Sequence, residues 1–313
     1  MGRVAVLGSL NMDLVVRVEA LPAPGQTVTG GELLTVPGGK GANQAVAAAR
    51  LGARVRMVGR VGSDAHGEEL IRGLVEDDVD VSAVIRDTHA PSGAALILVG
   101  SGGQNMIAVA PGANGRVGDE EVQALVEGLG SGDVVVMQLE IPLPAVVSAA
   151  EQARLAGARV LLNAAPSTTP ADRAIPESDV LVVNEAEAAD LTGTPVRDLV
   201  DAERAARRLG PSAAAVIVTM GGAGAVLCES GRSTRVAPMV VDAVDATAAG
   251  DAFVGAVAMG LAAGWSLQES VRVGSAAGAA AAGRLGARSS LPRPPDLERL
   301  FGLRLPSTPE QRS

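Results

Sequence analysis

Aromatic side chains are nearly missing from this chain of 313 residues, which has no Tyr, two Phe and one Trp. Proteins that hold single-stranded nucleic acid stack bases on aromatic platforms, so no nucleic-acid partner is expected. Charge argues the same way. The formal net charge is −9 and no run of Lys or Arg interrupts it, so a phosphate backbone would be repelled. An anionic substrate then needs a local electropositive pocket. Cysteine is scarce too. Cys228 stands alone, which rules out an intrachain disulfide and suits a reducing compartment; in the apolar run 224–228 it reads as a small buried hydrophobe. His66 and His89 belong to no motif and read as structural or surface residues. Long apolar runs are also lacking. Residues 252–263 are apolar but too few to span a bilayer, which takes roughly 20 residues. The start Met1-Gly2-Arg3-Val4-Ala5-Val6 lacks a signal peptide's apolar region and cleavage site, and Val6 stands where myristoylation needs Ser or Thr. No membrane partner and a cytoplasmic location are expected.

With 47% apolar residues and so few rings, the core must be packed from Val, Leu, Ile and Ala, and the length suits one large α/β domain or two smaller units. Residues 3–7 read as a short buried strand. At 13–19 the period changes: Leu14, Val16 and Val18 point one way, Asp13, Arg17 and Glu19 the other, as in a strand with one wet face. After the turn Pro22-Ala23-Pro24-Gly25, residues 27–36 are β-prone, and 94–99 with 105–109 read as a hairpin about the turn 100–103. These four strands are expected to form a small separate sheet, a lid. Helices are expected at 42–51 and 67–75, with a strand at 55–58 between them. The continuously apolar runs 134–137, 160–162, 180–183 and 216–218 read as strands buried on both faces, as in a parallel sheet flanked by helices. Helical patterns at 144–156, 186–191 and 199–209 separate them, and Ala-rich helices at 252–263 and 267–282 close the domain. The expected fold is α/β: a doubly wound, mostly parallel sheet flanked by helices, with a small β-sheet lid. The core takes 1–12, 38–90 and 110–305, the discontinuous lid 13–37 and 91–109, and residues 306–313 form a C-terminal tail.

In such sheets ligands bind beyond the carboxyl ends of the strands. Asn11, Asp13, Glu140, Asn163, Asn184, Glu187, Thr219 and Asp251 fall there. Two common nucleotide motifs are absent: there is no G-x-G-x-x-G after the first strand, and Leu34 and Gly41 break a Walker A reading of Gly39-Lys40. The segment Asp245-Ala246-Thr247-Ala248-Ala249-Gly250-Asp251 runs small residues straight into a helix. Free N–H groups at that N-terminus make an anion site suited to a transferring phosphoryl group. Asp251 beside it either takes a proton from an attacking alcohol or is a plain first-turn acid favoured by the dipole. In Pro37-Gly38-Gly39-Lys40-Gly41-Ala42-Asn43-Gln44 the paired glycines either admit a ligand to the backbone or form an ordinary turn. Asn184-Glu185-Ala186-Glu187 either holds the waters of a Mg²⁺–phosphate or starts a helix, and residues 219–224 either cradle a nucleotide or link two strands.

Four segments in this order, Gly8-Ser9-Leu10-Asn11-Met12-Asp13, the Gly-Gly-Lys-Gly-Ala-Asn-Gln run at 38–44, Asn184-Glu185-Ala186-Glu187 and Ala248-Ala249-Gly250-Asp251, resemble the ribokinase-like (PfkB) carbohydrate kinase family, over roughly 4–292. The resemblance implies an ATP-dependent sugar kinase, and Asn11 with Asp13 favours the branch that phosphorylates the 5-hydroxyl of D-ribose. Asp251 is then the base, with the amides of Ala248, Ala249, Gly250 and Asp251 around the γ-phosphate. The sugar would meet Asn11, Met12, Asp13, Gly39, Lys40, Gly41, Ala42, Asn43 and Glu140. ATP and Mg²⁺ would use Asn184, Glu187, the loop Thr219, Met220, Gly221, Gly222, Ala223 and Gly224, then Gly250, with Ser275 near the adenine. The resemblance also implies a K⁺ held by Asp245 and Ser290 and by main-chain oxygens of Thr247, Ala281, Arg284 and Gly286, and a homodimer whose lids clasp. Three residues depart from the family pattern: Ala246 replaces a hydroxyl residue, Ser275 a His or Asn, and Ser289 a Pro. Each bears on nucleotide affinity or cation dependence, none on a catalytic group. Other substrates of the same fold (deoxyribose, fructose, a nucleoside) and a non-catalytic sugar-binding protein are the competing readings; the intact Asp251 weighs against the latter.

Overall fold

The computed structural model describes residues 1–167 and 176–305; the tail expected at 306–313 lies outside them. The apolar runs pack side by side in one nine-stranded sheet. Strand β1 (Val4–Leu7) lies inside it, third from one edge, parallel to β4 (Val55–Gly62) on one side and to β8 (Val134–Met137) on the other. Beyond β8 come β9 (Arg159–Asn163), β10 (Ser178–Asn184) and β11 (Ala213–Thr219), all parallel. Antiparallel β12 (Ala225–Glu229) and β13 (Arg232–Val236) form one edge, and β5 (Asp80–Asp87) forms the other beside β4. Because both faces are covered, β1 and β8 are buried at every residue, as continuous apolar runs require.

Two helical layers cover the sheet. One face holds α1 (Lys40–Arg50), α2 (Ala65–Val75), α7 (Ala249–Ala262), α8 (Leu267–Ala282) and α9 (Pro294–Phe301), whose apolar residues share a core with Val4, Val6, Leu161 and Ile217. The other holds α3 (Asp119–Val126), α4 (Leu143–Leu155), α5 (Glu185–Thr192) and α6 (Leu199–Leu209), packed on Leu7, Val135, Leu162 and Val216. With almost no rings to fill space, the helices approach closely. A Cβ on Gly255 of α7 would come within 2.6 Å of Ala47 in α1, and one on Gly274 of α8 within 2.9 Å of Val257 in α7.

A second, four-stranded sheet stands apart from the first. Its order is β3 (Leu33–Gly38), β2 (Asn11–Val18), β6 (Gly93–Gly100) and β7 (Asn105–Ala110). β2 and β6 are parallel; the β2–β3 and β6–β7 pairs are antiparallel. The hairpin read at 94–109 is therefore present. The strand expected at 27–36 starts only at Leu33, the chain before it being loop. Sheet alternation also fails to bury the small sheet. Leu33, Leu34, Leu96, Met106, Ile107 and Val109 are exposed, and no residue of β7 is buried. Strands β5 and β13 and helices α3 and α9 were not expected. Mixed burial in β5 and an exposed β13 explain the weak pattern at those edges.

Candidate active site

The parallel strands deliver their carboxyl ends to one edge, and α7 starts there. Its N-cap, Ala248, has φ 59, in the left-handed region that few non-glycine residues enter. Just after it, the N–H groups of Gly250 and Asp251 meet no acceptor among the described residues. Ala249 is different: its N–H already donates to the Ala246 carbonyl at 3.2 Å. Two free donors at the positive end of a helix dipole bind anions.

Asp251 sits inside that turn and is buried. Its Oδ2 accepts from Asn43 Nδ2 at 3.0 Å and its Oδ1 from Gln44 Nε2 at 3.0 Å. Burial pushes its pKa up, opposed by the Lys40 ammonium and by those two amides. Burial works against the charge of Lys40 as well, yet Asp251, Glu140 and Glu187 together raise its pKa. One cavity of about 220 Å³ is lined by Lys40, Asn184, Glu187, Thr219, Gly250 and Asp251. The structure thus brings four widely separated segments to one opening.

Toward the small sheet, the chain at 38–41 lies directly on β2. A Cβ on Gly38 would fall 2.2 Å from Asp13 Oδ2, and one on Gly39, at φ 89, 2.7 Å from Asn11 N. Glycine is required at both places by contact, and at Gly39 by conformation as well. Lys40 N–H donates to Glu140 Oε2 at 3.1 Å. The next two amides are engaged: Gly41 N–H donates to Ser9 Oγ at 3.3 Å and Ala42 N–H to Ser9 O at 3.0 Å. Met12 and Ala42 place their side chains in the core. Asn43 keeps its Oδ1 buried and without a partner among the described residues, an acceptor that a hydroxyl donor would satisfy. Asp13 is pushed up to about 7 by burial and by the Glu140 and Asp251 carboxylates, against the pull of Arg288.

On the other side, Asn184 and Glu187 form a capping box at the start of α5. Asn184 N–H donates to Glu187 Oε2 at 2.9 Å, and Glu187 N–H to Asn184 Oδ1 at 2.8 Å. Helix start and cavity wall are the same residues. Burial raises the pKa of Glu187, more than the Asn184 amide and Lys40 lower it. Residues 219–224 turn β11 into antiparallel β12, with Gly221, Gly222 and Ala223 exposed and Met220 buried. Gly224, at φ 96, would drive a Cβ to 2.2 Å from the Val236 carbonyl. Ser275 donates its hydroxyl to Val271 O of its own helix at 3.0 Å.

The segments 245–247 and 281–290 meet around Asp245. Its Oδ1 accepts from Thr247 N–H at 2.9 Å and its Oδ2 from Gly286 N–H at 2.9 Å. Burial alone would raise its pKa, but those bonds and the Thr247 hydroxyl bring it below the usual carboxylate value. Ser290 is fully buried and donates to Ala287 O at 2.8 Å, so the lone pairs of its oxygen remain available. Arg284 pairs its guanidinium with Asp296, while its N–H donates to Ala281 O at 3.0 Å. A carboxylate and a hydroxyl oxygen are hard oxygen donors of the kind that suit an alkali cation.

Sequence reasoning missed Ser9, which bridges Glu140 and Gly41, and Asn114, which clasps Leu10 and Asn11. It missed Gln138 and Arg288 as well. Single polar residues in apolar or loop contexts carry no periodic signal, though Asn114 follows a turn-like Pro111-Gly112-Ala113.

A buried carboxylate with free amide donors beside it is an arrangement that suits a phosphotransferase acting on an alcohol group. Comparison with known proteins narrows the class. A model of the pfkB family carbohydrate kinases matches residues 1–294, and the chain belongs to that family. It is 39% identical to a ribokinase of Schizosaccharomyces pombe over 96% of this chain and 98% of the relative. A ribokinase of Haemophilus influenzae is 37% identical over 92% and 94% of the two chains. Among solved structures, Arabidopsis thaliana ribokinase complexed with ribose and ATP superposes with a TM-score of 0.86 at 30% identity, covering 97% of this chain and all of that one. Among the described residues, no helix is long and apolar enough to cross a membrane.

Proposed function

We propose that this chain transfers the γ-phosphate of ATP to the 5-hydroxyl of D-ribose, giving D-ribose 5-phosphate. The observation that carries the reading is Asp251, a buried carboxylate held by two amides beside the unpartnered N–H groups of Gly250 and Asp251. Ribose would lie on Asn11, Asp13 and the 38–41 backbone, its hydroxyls meeting acceptors such as Asn43 Oδ1. Asp251 takes the 5-hydroxyl proton as that oxygen attacks phosphorus in line with the departing ADP. The free amides and Lys40 stabilise the charge on the transferring group. Residues 219–224 and Ser275 would flank the nucleotide. Mg²⁺ carried with ATP would neutralise its phosphates, and Glu187 and Asn184 are the residues positioned to hold its waters. K⁺ fits the donor set of Asp245, Ser290 and the carbonyls of Thr247, Ala281, Arg284 and Gly286, where it would supply fixed positive charge behind the anion site.

The lid of this reading is residues 13–37 and 91–109, and its exposed apolar face supports a homodimer in which two lids cover each other. A single cysteine, Cys228, that is buried agrees with a cytoplasmic enzyme. The test is ATP-dependent ADP formation with D-ribose beside 2-deoxyribose, fructose and adenosine, with and without K⁺. Preference for ribose is expected, with K⁺ stimulation. Asp251→Asn should lose on the order of 10²–10⁴ in kcat while still binding ribose in calorimetry; near-normal turnover by that variant would overturn the base assignment.

A further inference from the structure

We infer that Gln44 and Gln138 form a buried, one-way chain of amides that positions the Asp251 carboxylate and keeps it in the ionised, proton-accepting state. Neither glutamine has any solvent exposure. The orientation follows from chemistry. An ionised carboxylate only accepts, so the atom of Gln44 that meets Asp251 Oδ1 at 3.0 Å is Nε2. The same Nε2 donates to Asn163 Oδ1 at 3.0 Å, and Asn163 in turn donates through Nδ2 to the Val182 carbonyl at 3.2 Å. Gln44 Oε1 therefore faces away, and there Gln138 Nε2 donates to it at 2.6 Å. Flipping either amide would set donor against donor or oxygen against oxygen. Gln138, which makes no hydrogen bond to Asp251, thereby backs the orientation of Gln44 that presents Nε2 to the carboxylate.

Backbone contact, not a flexible loop, holds the chain in place. A Cβ on Gly8 would lie 2.0 Å from Gln138 Oε1, and one on Gly255 of α7 would lie 2.7 Å from the Gln44 carbonyl. Glycine at 8 lets the chain just past β1 close on the Gln138 amide, and glycine at 255 lets α7 close on the α1 main chain that carries Gln44. Gln138 Oε1 is left buried without a partner among the described residues, an unfavourable arrangement that accompanies the Nε2 contact to Gln44. The charged groups facing Asp251 are Lys40, which lowers its pKa, and Glu140, Asp13 and Glu187, carboxylates coupled to it through like charge. A neutral donor aimed at the base favours its charged form without adding a further charge to this crowded site.

This inference rests on Asp251 being the base, and its test separates the two. Gln44→Met and Gln138→Met keep side-chain volume but remove a donor directly or release Gln44 to turn. For the best alcohol substrate, kcat should fall on the order of tenfold to a hundredfold, the loss of a charge-assisted hydrogen bond. KM for the alcohol should stay within about twofold, a small change in binding free energy. Losing a donor to the charged form raises the pKa of the base, so the acidic limb of kcat/KM should move to higher pH. Should Gln44→Met fail to fold, Gln138→Met removes no atom that touches Asp251 and gives the same readout by releasing Gln44 to turn. An unmoved acidic limb, or a loss of kcat matched by an equal loss of sugar affinity, overturns the inference. Turnover of a different alcohol in place of ribose would overturn the substrate reading alone, since the pH test runs equally well on that alcohol.

Discussion

Asn114 offers a sharp test of how the sugar side is built, through Asn114→Ala. The residue is buried and makes three hydrogen bonds across more than a hundred residues of sequence. Its Oδ1 accepts from Leu10 N–H at 2.9 Å, and its Nδ2 donates to Leu10 O at 3.0 Å and to Asn11 Oδ1 at 2.8 Å. Truncation strands a buried N–H, a buried C=O and the Asn11 carbonyl oxygen. An unsatisfied buried polar group costs about 1–3 kcal/mol. The low end applies here, because the vacated polar space can admit a water with several partners, so the sum is about 3 kcal/mol. Urea unfolding monitored by circular dichroism reads this loss directly. Function should follow through orientation. The Asn114 donor fixes Asn11 with its own Nδ2 free, so the variant should raise KM for the sugar more than it lowers kcat. Asn114→Asp should be worse, since it sets an oxygen against Leu10 O and Asn11 Oδ1. A stability loss below about 1 kcal/mol, the smallest expected for one orphaned group, together with an unchanged KM would refute the reasoning.

Other consequences follow from the same geometry. Asp13 has its folded-state pKa raised from 3.8 to about 7, so its contribution to stability is fully present below pH 3.8 and is lost as pH rises through 7. Asp13→Asn should flatten that fall in thermal melts of the ligand-free protein, and melts with identical pH slopes in both proteins would contradict the shift. Ile107→Lys with Leu34→Glu places charge on the exposed face of the small sheet and should convert a dimer to a monomer in light scattering. An unchanged mass for the double variant, or a monomeric parent, rules that interface out. Asp245→Asn removes the ionised carboxylate between Thr247 and Gly286 and should abolish K⁺ stimulation of ADP formation; stimulation of normal size would dismiss the cation site.

The apolar runs determined by themselves that β8, β9, β10 and β11 are buried in a parallel sheet, because a strand covered on both faces has no polar position to spare. They also located α6 and α8 to the residue, since three or more turns of helical period are hard to imitate. The small residues before Asp251 announced a helix start with free N–H groups, because such groups follow from a helix start alone. Edge strands such as β5 escaped notice, their half-wet pattern being shared with loops. Only the tertiary structure decided how the polar groups meet. Gln44, Gln138 and Asn163 are separate amides in sequence, and Asn114 is one more loop residue. Their roles arise where strand ends and helices close to hydrogen-bond distance, and that distance is set by Gly8, Gly39 and Gly255, which have no side chain to hold the elements apart. Hydrogen bonds act over 3 Å while the chain brings together residues 104 to 208 positions apart, so the contacts that orient this site exist only once the whole domain has folded.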